Sequence, residues 1–330
     1  MSVIKIVLNI TRLVEEGKLT AQEAERLQAL ARRDTGSLAI NVLMSFGAVA
    51  VAAGIIALEP AFATGAVLGV VLVAIGLGIS FFVGKQWGLL GTATTVIGAL
   101  LLAGGVIGFA EAHFAGLAFS ALLFLALAVA IRSNFLIALV PLALAGALGS
   151  STGYMHAVYM LTVTEPSITI VFFAFLAGSA YLISQHVGQA YEQLAITFAR
   201  VSLILVNFGF WIGSLWGDYP GQTWAQGEEY RLWSNQEAWR AAHLHIPEIA
   251  FIVGWAVVII AVGAWAARNN RRWVVTTAAV FGAVEFYTQW FERLGAEPWA
   301  IIVAGLTIVA FAIMLWRYNL SGGRPATVAA

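Results

Sequence analysis

Apolar runs recur along almost the whole chain, separated by short polar breaks. A hydrocarbon core of about 30 Å needs roughly 20 apolar residues at 1.5 Å rise each, so every such run predicts a transmembrane helix. Helices are expected because a bilayer offers backbone groups no water to bond. The pattern places about ten spans, at roughly 38–58, 61–83, 88–110, 115–131, 135–149, 168–184, 194–216, 248–267, 273–290 and 299–316. The fifth is short and contains Pro141. The stretch after it, SSTGYMHAVYMLTVTEP, is expected either to extend that helix or to lie in the interface.

One interruption, residues 217–247, is both long and polar. It carries Asp218, Glu228, Glu229 and Glu237, with Trp224, Trp233 and Trp239 spaced through it. Indole rings bury in the membrane interface while keeping their N–H wet, which suits an external loop. Within it, Ser234 to Glu237 has capping-box spacing and opens a short helix. Trp239, Ala242 and Ile246 form its apolar side, with Arg240 and His243 toward water or headgroups. Such a helix either lies on the outer surface or forms a lid over a cavity.

Residues 1–36 read as a cytoplasmic helical hairpin: a helix from Val3 to Glu16, a turn at Gly17-Lys18, and a second helix beginning near Thr20. Thr20 and Glu23 have capping-box spacing, and Ala24, Leu27, Leu30 and Ala31 recur on one face. Residues 37–318 then form the bundle and 319–330 a flexible tail. The expected fold is all-α, a polytopic transmembrane bundle with that hairpin in front.

Composition agrees: 61% of residues are hydrophobic, 10% are charged, and the mean hydropathy is +0.88, against roughly a quarter charged in globular domains. Of the 17 basic residues, only Arg231, Arg240 and Arg293 fall outside if the N-terminus is inside. That asymmetry predicts both termini in the cytoplasm. The 17 acidic residues balance the basic ones, so nucleic acid is not an expected partner. The chain has no cysteine, which removes thiolate chemistry and Cys-based metal sites. No cleavable signal peptide is expected at the start, because Thr11, Arg12, Glu15 and Glu16 stand where small residues would be needed.

Chemistry is sparse. GLGISFFVGK at 76–85 has glycines too far apart for a phosphate loop. His243, His245 and Glu248 suggest a metal cluster, but residues two apart on a helix point to different sides. No catalytic group, metal or cofactor is expected. The glycine pairs Gly65/Gly69, Gly104/Gly108 and Gly209/Gly213, the last running on to Gly217, are small-xxx-small patterns that let helices approach.

Ionisable groups inside spans are the best functional pointers, since each costs roughly 2.5–3.5 kcal/mol at the bilayer centre on insertion scales. Glu285 leads. Gln289 and Glu292 follow it at helical spacing, with Tyr287 close by. Arg200 and Asn207 share a face of the seventh span, and Glu111 and His113 end the third.

The N-terminal segment LVEEGKLTAQEAERLQAL, leading into Gly/Ala-rich spans, resembles the DUF2157-type family of predicted bacterial membrane proteins. The resemblance covers about the first 50 residues and implies a bacterial inner-membrane location, with no activity to transfer. Two function classes remain. One is a small-solute or proton-coupled permease or exporter, with Glu285 and its neighbours lining the path. The other is a non-catalytic accessory or scaffold subunit holding partners through the hairpin, the outer loop or its glycine faces. A lipid bilayer surrounds either.

Overall fold

The computed structural model describes residues 20–83, 85–111, 113–155, 158–225, 233–269, 271–294 and 297–321. The first helix of the expected hairpin, and its turn, lie outside the described residues. Seven helices among those described are long and apolar enough to cross a membrane: Ile40–Leu58, Phe62–Val83, Gly88–Phe109, Phe114–Ile131, Pro166–Ser184, Tyr191–Trp216 and Glu248–Arg268. The chain forms two compact units, Met1–Ala147 with Gly178–Val201, and Leu148–Ala177 with Ser202–Ala330.

The first unit begins with α1 (Ala21–Leu58), 38 residues without a break. Its start is the expected capping box: the Thr20 side chain accepts from the Glu23 N–H, and the Glu23 carboxylate accepts from the Thr20 N–H at 3.0 Å. The second hairpin helix therefore does not end before the membrane, as a separate 1–36 domain would require. It runs on into the first span through Asp34-Thr35-Gly36-Ser37, a cluster that ordinarily favours a turn but contains no Pro and does not stop the helix here. Buried Asn41 ties α1 to the next hairpin: its amide donates to the Gln86 carbonyl at 3.0 Å, and its Oδ1 accepts from the Leu90 N–H at 3.1 Å. The latter is one of the orphan donors of the following helix's first turn.

That hairpin pairs α2 (Phe62–Gly78), continued by a π-helical turn to Val83, with α3 (Gly88–Phe109). Their backbones touch along a glycine seam. A Cβ on Gly98 would sit 2.6 Å from the Val73 nitrogen and 2.8 Å from the Gly69 carbonyl oxygen, and one on Gly105 would sit 2.7 Å from the Ala66 nitrogen. Gly76 and Gly91 oppose each other in the same way. The seam thus recurs every seven residues on both helices, the spacing of a long left-handed pairing. The expected four-residue pattern is corrected here. Gly69 lies on the seam and Gly108 faces the Phe62 ring. Gly65 makes only ordinary contact, and Gly104 has open space where its side chain would be.

Two further helices, α4 (Phe114–Ile131) and α5 (Asn134–Ala147), complete a core in which Ala99, Ala103, Phe124, Ala128, Leu136, Ile137, Val140 and Leu194 are buried together. With 14 residues and an internal Pro141, α5 rises about 21 Å, short of a bilayer core.

The second unit opens with a β-hairpin, where the sequence reading expected a helical extension or an interfacial segment. Strand β1 (Ser151–Met155) pairs antiparallel with β2 (Val158–Thr162), in the register Ser151–Thr162 through Met155–Val158. Gly149, at φ +87°, ends the helical path, and the Thr, Tyr and Val residues that follow suit a pleated ribbon. The remaining helices are α6 (Pro166–Ser184), α7 (Gln189–Trp216), α8 (Trp233–Ala242), α9 (Glu248–Arg268), α10 (Arg272–Leu294) and α11 (Pro298–Ser321). The division between units falls inside α6 and α7. Within the second unit, Gly209 packs on Ile170 and Pro166 of α6, and Gly213 packs under the Phe251 ring of α9. Helices α10 and α11 cover the ninth and tenth expected spans but are not among the seven; Glu285, Gln289 and Glu292 interrupt the apolar run of α10.

Candidate functional site

One end of the second unit gathers the start of α6, the end of α7 and the start of α9. Asp218 and Ile246 exchange backbone hydrogen bonds at 2.9 Å in both directions, pinning the loop's two ends together. Pro166 occupies the first turn of α6, where its missing N–H costs nothing. The Glu165 side chain, fully buried, turns to the loop and accepts the Gly221 N–H at 2.8 Å and the Thr223 N–H at 2.5 Å. Reciprocally, the loop's Asp218 reaches α6: its Oδ2 accepts the Ser167 N–H at 2.9 Å and also the Ser167 hydroxyl. Asp218 thereby caps a helix start, where an anion is favoured. Thr223 donates to Thr164 at 2.8 Å, closing the strap.

The two carboxylates differ in how they are satisfied. Asp218 is 3% exposed, and its Oδ1 has no hydrogen-bond partner among the described residues. Burial pushes its carboxyl above the ordinary 3.8, and the charge of Glu165 adds to this; the two Ser167 hydrogen bonds and, more weakly, the Tyr219 backbone N–H act against it. A carboxyl raised in the fold holds its proton more tightly than in the unfolded chain. Its contribution to stability is complete below 3.8 and is lost as pH rises through the folded value. Thermal unfolding followed between pH 4 and pH 8 should therefore show the wild type losing stability relative to Asp218→Asn as pH rises. Parallel curves would remove Asp218 as the source.

Beside this cap lies a cavity of about 630 Å³. Leu161 and Val163 from the hairpin side, Ile212 and Trp216 from α7, and Asp218, Tyr219 and Arg240 from the loop all border it. Helix α8 supplies Arg240, whose guanidinium sits 5.5 Å from the Tyr219 ring centre, while His245 stacks on Tyr219 at 4.5 Å. His243 stacks instead on Trp239 at 3.9 Å. The two histidines of the suspected cluster thus join different stacks. No group of three potential ligands that could hold a metal is found among the described residues.

The other candidates are dispersed. Glu285 is buried in α10. Gln289 follows one turn later with its Nε2 buried and unpartnered, as is Trp290 Nε1. Tyr287 and Glu292 are exposed, so of the expected face of Glu285, Gln289 and Glu292 the first two are turned inward. Asn207 is spent on structure: its Oδ1 accepts from Trp255 Nε1 at 2.9 Å and its amide donates to the Leu203 carbonyl. Arg200 is exposed. Glu111, at φ +47°, and His113, whose ring contacts the Ala110 carbonyl, shape the tight turn between α3 and α4.

The α7–α10 contact connects cavity and polar turn. Trp211 Nε1 donates to Thr288 Oγ1 at 3.1 Å, one residue before cavity-lining Ile212 and one turn from Glu285. No family model, curated protein or solved structure matches this chain. Glu165 and Asp218 escaped the sequence reading because acidic residues near a loop ordinarily face water. The Glu165-Pro166 step at a helix start was the available signal.

Proposed function

We propose that this chain is a ten-span permease of the bacterial inner membrane, the short α5 crossing together with its flanking turns as the fifth span, with both termini cytoplasmic and the Asp218 cap facing outward. The observation that carries the reading is the cavity bordered by Asp218, whose α7 wall is hydrogen-bonded to the helix holding buried Glu285. A carboxylate and an orphan amide kept on one spanning helix are costly unless a solute path supplies their partners. The basic-residue asymmetry and the DUF2157-type resemblance support the orientation and the membrane. Reconstitution into proteoliposomes tests the proposal. Glu285→Gln keeps size and removes charge, so it should lower solute or proton flux by about tenfold or more with folding preserved. Undiminished flux in that variant, or no flux above empty vesicles for the wild type, would defeat it.

A scaffold role is the second reading, favoured by α1. That helix continues well beyond its span at the N-terminal end and could hold a partner there. On it, Glu285→Gln lowers thermal stability without a specific loss of flux.

A further inference from the structure

We propose that the cavity beside Asp218 binds small amphiphilic organic ammonium ions, molecules carrying a primary or secondary ammonium group on an apolar body. The assignment deepens the permease reading, but it rests on the cap itself. Asp218 borders the cavity, is 3% exposed, and spends only Oδ2 on Ser167, which leaves Oδ1 without a donor. A buried acceptor of that kind calls for a charged donor more strongly than for a neutral one. Glu165, in the same cap, is already satisfied by two backbone N–H groups, so it contributes negative potential without competing for the ligand. Two carboxylates in one cap disfavour anions.

Among the described residues, Arg240 is the one cationic side chain bordering the cavity, and it lies over the Tyr219 ring. Leu161, Val163, Ile212 and Trp216 offer an apolar wall for the body of the ligand. A bare alkali ion would need several oxygen ligands and would leave that wall unused. Oδ1 is covered by protein atoms, so a bound ammonium has to draw the Asp218 carboxylate round about its broad terminal torsion, at the expense of the Ser167 hydrogen bonds.

The test is titration of the purified full-length protein with 2-phenylethylamine and with 2-phenylethanol, its neutral counterpart, read by calorimetry. The amine should bind roughly ten- to hundred-fold more tightly than the alcohol, and Asp218→Asn should remove that margin. Leu161→Trp leaves the cap untouched and fills the cavity, so it should abolish binding of both even if the Asp218 variant fails to fold. Equal affinity for amine and alcohol, amine binding retained in Asp218→Asn or in Leu161→Trp, or no binding by the wild type would each overturn the proposal. Repeating the titration in phosphatidylcholine nanodiscs with and without phosphatidylethanolamine separates the two sources of ammonium. Competition identifies the lipid headgroup, and its absence a soluble amine. Binding without flux retires the permease and keeps the site; flux without amine binding does the reverse.

Discussion

Replacing Gly98 with leucine should prevent the first unit from folding, whereas the same change at Gly104, six residues further along α3, should be nearly silent. At Gly98 even a methyl group would lie 2.6 Å from the Val73 nitrogen and 2.8 Å from the Gly69 carbonyl oxygen. Both obstacles are backbone, so no rotamer can relieve them, and α2 must move away from α3 along the whole seam. Overpacking usually costs about 1–3 kcal/mol when side chains can give way. Here alanine should cost about 3 kcal/mol, at the upper end, and leucine more than the unit can bear. Gly104 has open space around its Cβ position, and substitution there should stay within about 0.5 kcal/mol. Thermal denaturation of the detergent-solubilised variants decides it. Comparable melting of Gly98→Ala and Gly104→Ala would mean that the seam is not tight.

Glu165→Ala should release the loop around Gly221 and Thr223 from the start of α6. The substitution strands the Gly221 and Thr223 N–H groups, both now held by one buried carboxylate. Each shielded donor left without an acceptor costs about 1–2 kcal/mol, giving roughly 2–4 kcal/mol for the pair. Glu165→Gln keeps one acceptor oxygen and should lie between wild type and alanine. Limited proteolysis around residues 219–225, alongside melting temperature, reads the effect. If Glu165→Ala melts with the wild type and its loop resists protease equally, the carboxylate is not what fastens the loop.

The membrane-helix class was legible because it depends on runs of apolar residues, and a run announces itself locally. The Thr20–Glu23 cap was legible for the same reason: both partners lie within one turn. The glycine seam was half legible. Small residues at close spacing were noticed, but the four-residue motif drew attention to Gly104. The seven-residue spacing of Gly91, Gly98 and Gly105 marks the true contact, and it becomes meaningful only beside Gly69 and Gly76 of the partner helix. The hairpin at Ser151–Thr162 was missed because a short ribbon between helices has too few residues for a clear alternation.

The candidate site was the least legible part. Asp218 stands 51 residues from Ser167, and Glu165 stands 56 from Gly221. Nothing local announces that acids so placed become buried. Glu285 stood out because a charge within an apolar run is conspicuous, while its separation from Tyr287 and Glu292 depended on which side of α10 faces its neighbours.

The unbroken course of α1 has a mechanical consequence. Its portion before Ile40 rises about 28 Å with no joint between it and the first span. Rotation at either end is therefore carried to the other, as along a drive shaft. One residue inserted between Arg33 and Ile40 would swing the capped end through about 100° relative to the bundle, and four would bring it back to within about 40° of its starting bearing. The angular position of Thr20 and Glu23 is thus set by the bilayer-embedded chain below them.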